Sequence, residues 1–182
     1  LIEILIMPTK YIRNQSRFIV FHENCQHRDM AIKVFGPDKL IHGAGFTKLV
    51  LVDGQIKADC YGKSISLDVE PRRDDHQHML LSIGVENPDG DEVEHAKYVI
   101  WRGNAVVFSN ELEHKSVAEA AFLGSIDCES AGFVKFLINH NTGKIKIQCY
   151  GESMSLGASS SKDDYKELAD LMSLSHDTLH TA

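Results

Sequence analysis

In RFIVFHEN, residues 17–24, aromatic and branched apolar side chains follow one another as they do in a strand. The period then changes. From Arg28 to Phe35 the spacing puts Met30, Ala31, Val34 and Phe35 on one helical face, and Gly36-Pro37 stops the helix. Further on, FTKLVLVDGQIKADCY, residues 46–61, predicts a hairpin with its tight turn at Asp53-Gly54. The second half of the chain repeats this order. Lys115 to Leu123 predicts a helix stopped by Gly124, and FVKFLINHNTGKIKIQCY, residues 133–150, predicts a second hairpin. Its two extra residues fall in the turn, where an insertion costs least.

The likeness extends to the letters. IKADCYGKSISL begins at Ile56, and IKIQCYGESMSL begins 89 residues later at Ile145. Upstream, an offset of 87 sets Tyr11 on Tyr98, Val20 on Val107, Phe21 on Phe108, His27 on His114 and Ala44-Gly45-Phe46 on Ala131-Gly132-Phe133. A tandem duplication accounts for this, because a period of that length is a whole small domain and not a solenoid unit. The expected fold is therefore α/β (α+β): two repeats of a small mixed-sheet domain with flanking helices, residues 1–75 and 76–173, packed on each other, with a tail at 174–182.

The ends of the repeats differ. In the second, Ser161 and Asp164 form a capping-box-like start to a terminal helix whose stripe is Tyr165, Leu168, Leu171 and Met172. In the first, EPRRDDHQH reads as a linker running into MLLSIGV, expected to be the first strand of the second repeat, with LIEILIM as its counterpart. The loop ENPDGDEVEHAK has no equivalent of its length in the first repeat.

Composition narrows the function classes. The chain has 182 residues, 43% of them apolar, with a net charge of -7. That balance argues against a duplex nucleic-acid binder, which needs a basic face. No apolar run reaches the roughly 18 to 20 residues that span a bilayer, and LIEILI is too short for a signal-peptide core. Cys25, Cys60, Cys128 and Cys149 form no C-x-x-C pair and read as reduced thiols of a cytoplasmic protein. His76 with His78, and His176 with His180 in a possible tail helix, have metal-ligand spacings but no nearby partners, so a solvated linker and tail are expected and no metal site.

Candidate chemistry gathers at two places in each repeat. His27 and His114 stand where a strand ends and a helix begins, beside the free N–H groups of Arg28 and Asp29 or of Lys115 and Ser116. An imidazole there can meet a phosphoryl group as nucleophile or act as a base for water, or it can merely cap the helix. The Tyr-Gly-x-Ser-x-Ser strings bring Ser64 and Ser66, or Ser153 and Ser155, as hydroxyl donors to phosphate; a strand with its polar face to water would carry the same serines.

Together these elements resemble the phosphohistidine phosphatase (Janus/Ocnus) family. Tyr150-Gly151-Glu152-Ser153-Met154-Ser155-Leu156-Gly157 is similar to that family's Tyr-Gly-x-Ser-Met-x-x-Gly string, and His27-Arg28-Asp29 looks like its catalytic His-Ala-Asp. Gly43-Ala44-Gly45 is similar to its glycine run. The resemblance implies catalytic roles for His27 and His114, with phosphate held by the amides of Arg28, Asp29, Lys115 and Ser116 and by Ser64, Ser66, Ser153 and Ser155. It implies hydrolysis of phosphohistidine in a protein substrate with neither metal nor cofactor. The alternative is a non-catalytic phospho-ligand or partner-binding protein on the same frame. Two cations of the family pattern are missing at their expected places. No lysine lies near Ile2 or Met79 on the expected first strands, and Phe46 and Phe133 replace an arginine, with Lys48 and Lys135 two residues further on.

Overall fold

The computed structural model describes residues 8–22, 25–88, 92–122 and 127–180. Strands β1 (Lys10–Asn14), β2 (Arg17–Phe21), β3 (Gly43–Val52) and β4 (Gln55–Tyr61) come from the first half, with α1 (His27–Phe35) after β2 and α2 (Asp75–Ser82) after β4. The second half follows the same order: β5 (Ala96–Trp101), β6 (Asn104–Phe108), α3 (His114–Ala121), β7 (Ser130–Ile138), β8 (Ile145–Tyr150), a short hairpin of β9 (Glu152–Ser153) and β10 (Ala158–Ser159), and α4 (Asp164–Leu171).

Eight strands form one sheet in the order β4-β3-β1-β2-β6-β5-β7-β8. Its centre is the β2–β6 pair, in which Val20 lies opposite Val107, the residue 87 positions further along the chain. The expected mixed sheet is corrected: every pairing between named strands is antiparallel, and among the described residues parallel pairing occurs only as the isolated bridges Val85–Phe136 and Ile145–Leu179. The reason lies in the connections. β1–β2, β3–β4, β5–β6 and β7–β8 are joined by hairpins, such as the turn in which Asp53 (φ 52) and Gly54 (φ 75) take the left-handed conformation that a two-residue turn requires, and the strands joined through α1, α2 and α3 are not neighbours in the sheet.

Alternation along the strands gives the sheet two apolar faces. On one, Ile12, Phe21, Ala44, Val99, Phe108 and Ala131 pack with α1 and α3. On the other, Tyr11, Val20, Leu49, Tyr98, Val107 and Phe136 pack with residues of α2 and α4, including Met79 and Leu168. Both cores draw on both halves of the chain.

The segment MLLSIGV is not a strand. It forms the end of α2 and the turn after it, because Asp75, Met79 and Ile83 recur at a spacing of four and are all fully buried. α2 begins at the expected division of the chain at 75, so the first half has its terminal helix after all, and the last four residues of EPRRDDHQH, Asp75 to His78, are its start. Its supposed partner LIEILIM and the helix stop at Gly124 lie outside the described residues.

Both edges of the sheet are partly covered. At Ile56 on β4 the Asn87 side chain accepts the backbone N–H (2.8 Å) and donates to the carbonyl (3.0 Å). At the corresponding Ile145 on β8, Leu179 pairs in parallel and His180 N–H donates to the Ile145 carbonyl. The expected tail helix with His176 and His180 on one face is thus replaced by a single turn (His176–Thr178) and an added strand segment, which protects an edge from pairing with another chain. Among the described residues no helix is long and apolar enough to cross a membrane.

Candidate active site

β2 delivers the chain to α1, so His27 enters the first turn of the helix at its point of contact with the sheet. Only 5% of His27 is exposed. Its ring stands edge-on between Phe21 and Phe46 (centroids 6.0 and 5.6 Å), and Nε2 lies 2.8 Å from the Gly45 carbonyl. A carbonyl oxygen can only accept, so Nε2 carries the proton and the lone pair is on Nδ1. Burial lowers the His27 pKa below its ordinary value of 6.5, against the pull of the Gly45 carbonyl and with help from the Lys10 charge. The ring is neutral at pH 7.

Gly45 makes that hydrogen bond possible. A Cβ at this position would meet the Tyr61 carbonyl at 2.6 Å and the Pro71 ring at 2.9 Å. Gly62, at φ 77, turns the chain out of β4 where a Cβ would strike the Phe46 ring at 2.6 Å. The following loop is thereby folded back over the start of α1.

A cavity of about 410 Å³ opens beside the imidazole, lined by Lys10, Gln26, His27, Phe46, Lys63, Ile65 and Ser66. The Arg28 N–H at the helix start donates to Ser66 Oγ (3.2 Å), and Gln26 supplies no side-chain cap. Lys10 reaches the Cys25 carbonyl (3.0 Å), and Lys63 pairs with the exposed Asp68 (2.8 Å). Two lysines, each with an oxygen partner of its own, a serine and the start of a helix thus border one small space with no carboxylate among the described residues of its lining, a set suited to an oxyanion.

The second half reproduces the frame with different charges. His114 stands between Phe108 and Phe133 (5.7 and 5.5 Å) with Nε2 2.8 Å from the Gly132 carbonyl, and burial lowers its pKa too. Lys97 reaches the Leu112 carbonyl (2.9 Å), as Lys10 does that of Cys25. At the place of Lys63, however, the chain has Glu152, and Ser155 Oγ lies 3.3 Å from Ser153 Oγ.

Of the residues expected to bind phosphate, Ser66 borders the cavity, whereas Arg28 and Asp29 are exposed on the first turn and do not line it, and the Arg28 amide is engaged by Ser66. Ser64 and Ser153 are buried, and their hydroxyls accept the N–H groups of Leu67 and Leu156 (3.3 Å each), which holds the loops. Lys115, Ser116 and Ser155 are exposed near the His114 ring's helix and loop. Lys48 shares the sheet face of Phe46 but lies beyond the cavity, and Lys135 is engaged by Glu86 (3.0 Å).

No match to the chain is found among protein-family models, curated proteins or solved structures. The site therefore has to be read from its own chemistry.

Lys10 and Lys97, which the sequence reading does not single out, lie on β1 and β5, the first described strand of each half. The shared pairs Lys10-Tyr11 and Lys97-Tyr98 were the available signal. Lys63 went unnoticed because it occupies the variable position of the repeated string.

Cysteine chemistry has little support at these sites. None of the four cysteines is joined in a disulfide, and burial pushes the Cys60 and Cys149 thiols up to about 11 and about 12. His76 and His78 lie on a helix and not on an extended segment, and His78 pairs with Asp74 (3.1 Å). Among the described residues no group of three or more His, Cys, Asp or Glu could hold a metal ion.

The buried imidazoles carry a consequence for stability. His22, His27, His95 and His114 all have pKa values lowered by burial from the ordinary 6.5. The unfolded chain therefore binds more protons than the folded one as pH drops below about 6.5. Stability is unaffected by these groups above that value and falls as pH descends through the folded pKa values. Urea midpoints measured at pH 7.5 and 5.5 are expected to be lower at 5.5; a midpoint unchanged or higher at 5.5 would contradict the burial of neutral rings.

Proposed function

We propose that the chain is a tandem duplication of a Janus/Ocnus-like unit and that its first site hydrolyses phosphohistidine in a protein substrate. The observation that carries this reading is the convergence of His27, Lys10, Lys63, Ser66 and the start of α1 on one cavity. The duplication draws support from the matched pairs of hydrogen bonds: His27 with Gly45 and His114 with Gly132, Lys10 with Cys25 and Lys97 with Leu112.

In this reading the phosphoryl oxygens lie against Lys10, Lys63 and the start of α1, where they take the place of Ser66 Oγ on the Arg28 amide. The neutral His27 ring presents its Nδ1 lone pair, with Nε2–H held by Gly45. Either Nδ1 attacks phosphorus and the phosphoryl group passes on to water, or Nδ1 takes a proton from the attacking water. In both cases the N–P bond of the substrate breaks, the released imidazole regains a proton, and inorganic phosphate leaves.

The second half favours the other reading in its partner-binding form, a site without turnover, because Glu152 stands where Lys63 does and repels a phosphate. The test is phosphate release from a phosphohistidine peptide by the unaltered chain and by Lys63→Glu. Lys63 is paired only with an exposed carboxylate, so folding is not at stake. Loss of one charge-assisted contact and its replacement by a repulsive one is expected to lower kcat/KM about tenfold or more. Equal rates for the two proteins, or none from the unaltered chain, would reject hydrolysis at this site.

A further inference from the structure

Beside the cationic half of the His27 cavity lies an apolar half that phosphate chemistry does not use. Phe46 and Ile65 line it, and Tyr61 continues it, with its ring 6.0 Å from that of Phe46. Ile65 is 90% exposed at the tip of its loop, and Met154, at the same place in the second repeated string, is 89% exposed. These side chains are not on loose ends. The Ser64 and Val69 backbones pair with each other (2.9 and 3.3 Å), and Asp68 N–H donates to the Ile65 carbonyl (3.3 Å). A held loop that keeps a large apolar side chain in water at both sites has a use for it.

The second half indicates what that use is. There His95 lies against Phe133 and Tyr150, the counterparts of Phe46 and Tyr61, at centroid distances of 4.4 and 5.7 Å. A side chain from the chain itself thus packs on the aromatic pair. In the first half the position 87 residues before His95 is Pro8, which is exposed.

We propose that Phe46, Tyr61 and Ile65 form a subsite that receives the side chain next to the phosphorylated residue of a polypeptide substrate, and that it selects an apolar neighbour. The proposal rests on the reading of the His27 cavity as a phosphohistidine site. It adds a preference that the phosphate contacts cannot supply, since burial of apolar area against Ile65 discriminates a leucine from an aspartate.

The experiment uses two peptides carrying a stable phosphonate analogue of phosphohistidine, identical except for leucine or aspartate beside it, together with the analogue as a single residue. Dissociation constants are measured for the unaltered chain, Ile65→Asn and Ile65→Leu; asparagine removes the apolar surface without adding a charge beside the phosphate. Ile65 is nearly fully exposed, so neither substitution threatens folding. The unaltered chain and Ile65→Leu are expected to bind the leucine peptide about tenfold more tightly than the aspartate peptide. Ile65→Asn is expected to lose that preference. Equal binding of the two peptides by the unaltered chain, or a preference that survives Ile65→Asn, overturns the subsite. A preference present without any turnover of phosphohistidine peptide would keep the subsite and reject hydrolysis.

Discussion

His27→Ala is expected to lower kcat for phosphohistidine hydrolysis by at least about 100-fold, the usual contribution of a positioned acid or base. His114→Ala is expected to change it by less than about threefold, because a cavity without Lys63's counterpart holds the substrate poorly. Both histidines keep the same neutral tautomer through the same carbonyl contact, so the imidazole itself does not distinguish the halves. The surrounding charge does. Lys10 and Lys63 face the first cavity, whereas Lys97 is accompanied by Glu152 in the second half. Alanine also leaves the Gly45 carbonyl without its donor, which costs about 1–3 kcal/mol of stability. His27→Gln separates the two effects, since its amide can donate to that carbonyl but offers no basic nitrogen. Stability recovered with activity still lost is the expected pattern. Activity restored by glutamine, or an equal loss from His27→Ala and His114→Ala, would remove His27 from the chemistry.

Much of this arrangement was legible in the chain, and the reasons for the exceptions are local. The strand, helix and hairpin of each half followed from period and punctuation. So did the placement of His27 and His114 at a strand-to-helix junction. The apolar residues from Met79 to Val85 are broken only by Ser82 and Gly84, and so short a run does not distinguish strand from helix, which hides the end of α2. The better signal is Asp74-Asp75, which matches Asp163-Asp164 at the start of α4. In both helices the second aspartate of the pair accepts the N–H three residues earlier (2.8 Å). The joining of β2 to β6 had no sequence mark, since an edge strand and a central strand buried on both faces share the same apolar composition. The apolar rim was hidden by the fact that exposure of a side chain at a turn is decided in three dimensions.

Asp75→Ala is expected to destabilise the fold by about 3–5 kcal/mol, the cost of breaking a buried ion pair from one side. The Asp75 side chain is fully buried and accepts from Tyr11 Oη (2.6 Å), Arg13 Nη1 (2.7 Å) and the Arg72 N–H (2.8 Å). Its removal takes the shortest ion pair from an Arg13 guanidinium whose side chain is only 11% exposed, leaving it the Gln15 carbonyl (2.7 Å) and the half-exposed Asp74 (3.3 Å). The second half meets the same need without a cation. Asp164 accepts from Tyr98, from Ser130 Oγ (2.8 Å) and from the Ser161 N–H (2.8 Å), and Ile100 stands at the position of Arg13. Asp164→Ala therefore leaves neutral hydroxyls unpaired and is expected to cost less, about 1–3 kcal/mol. Gly43, the counterpart of Ser130, cannot be exchanged by itself, because a Cβ there would run into the Asp75 carboxylate. Gly43→Ser is thus expected to destabilise as well, although serine is the residue that works in the other half. Urea unfolding of the three variants decides the matter: equal losses for Asp75→Ala and Asp164→Ala would mean that the arginine pair adds nothing beyond the shared tyrosine bond, and an unaffected Gly43→Ser would mean that the carboxylate is free to move.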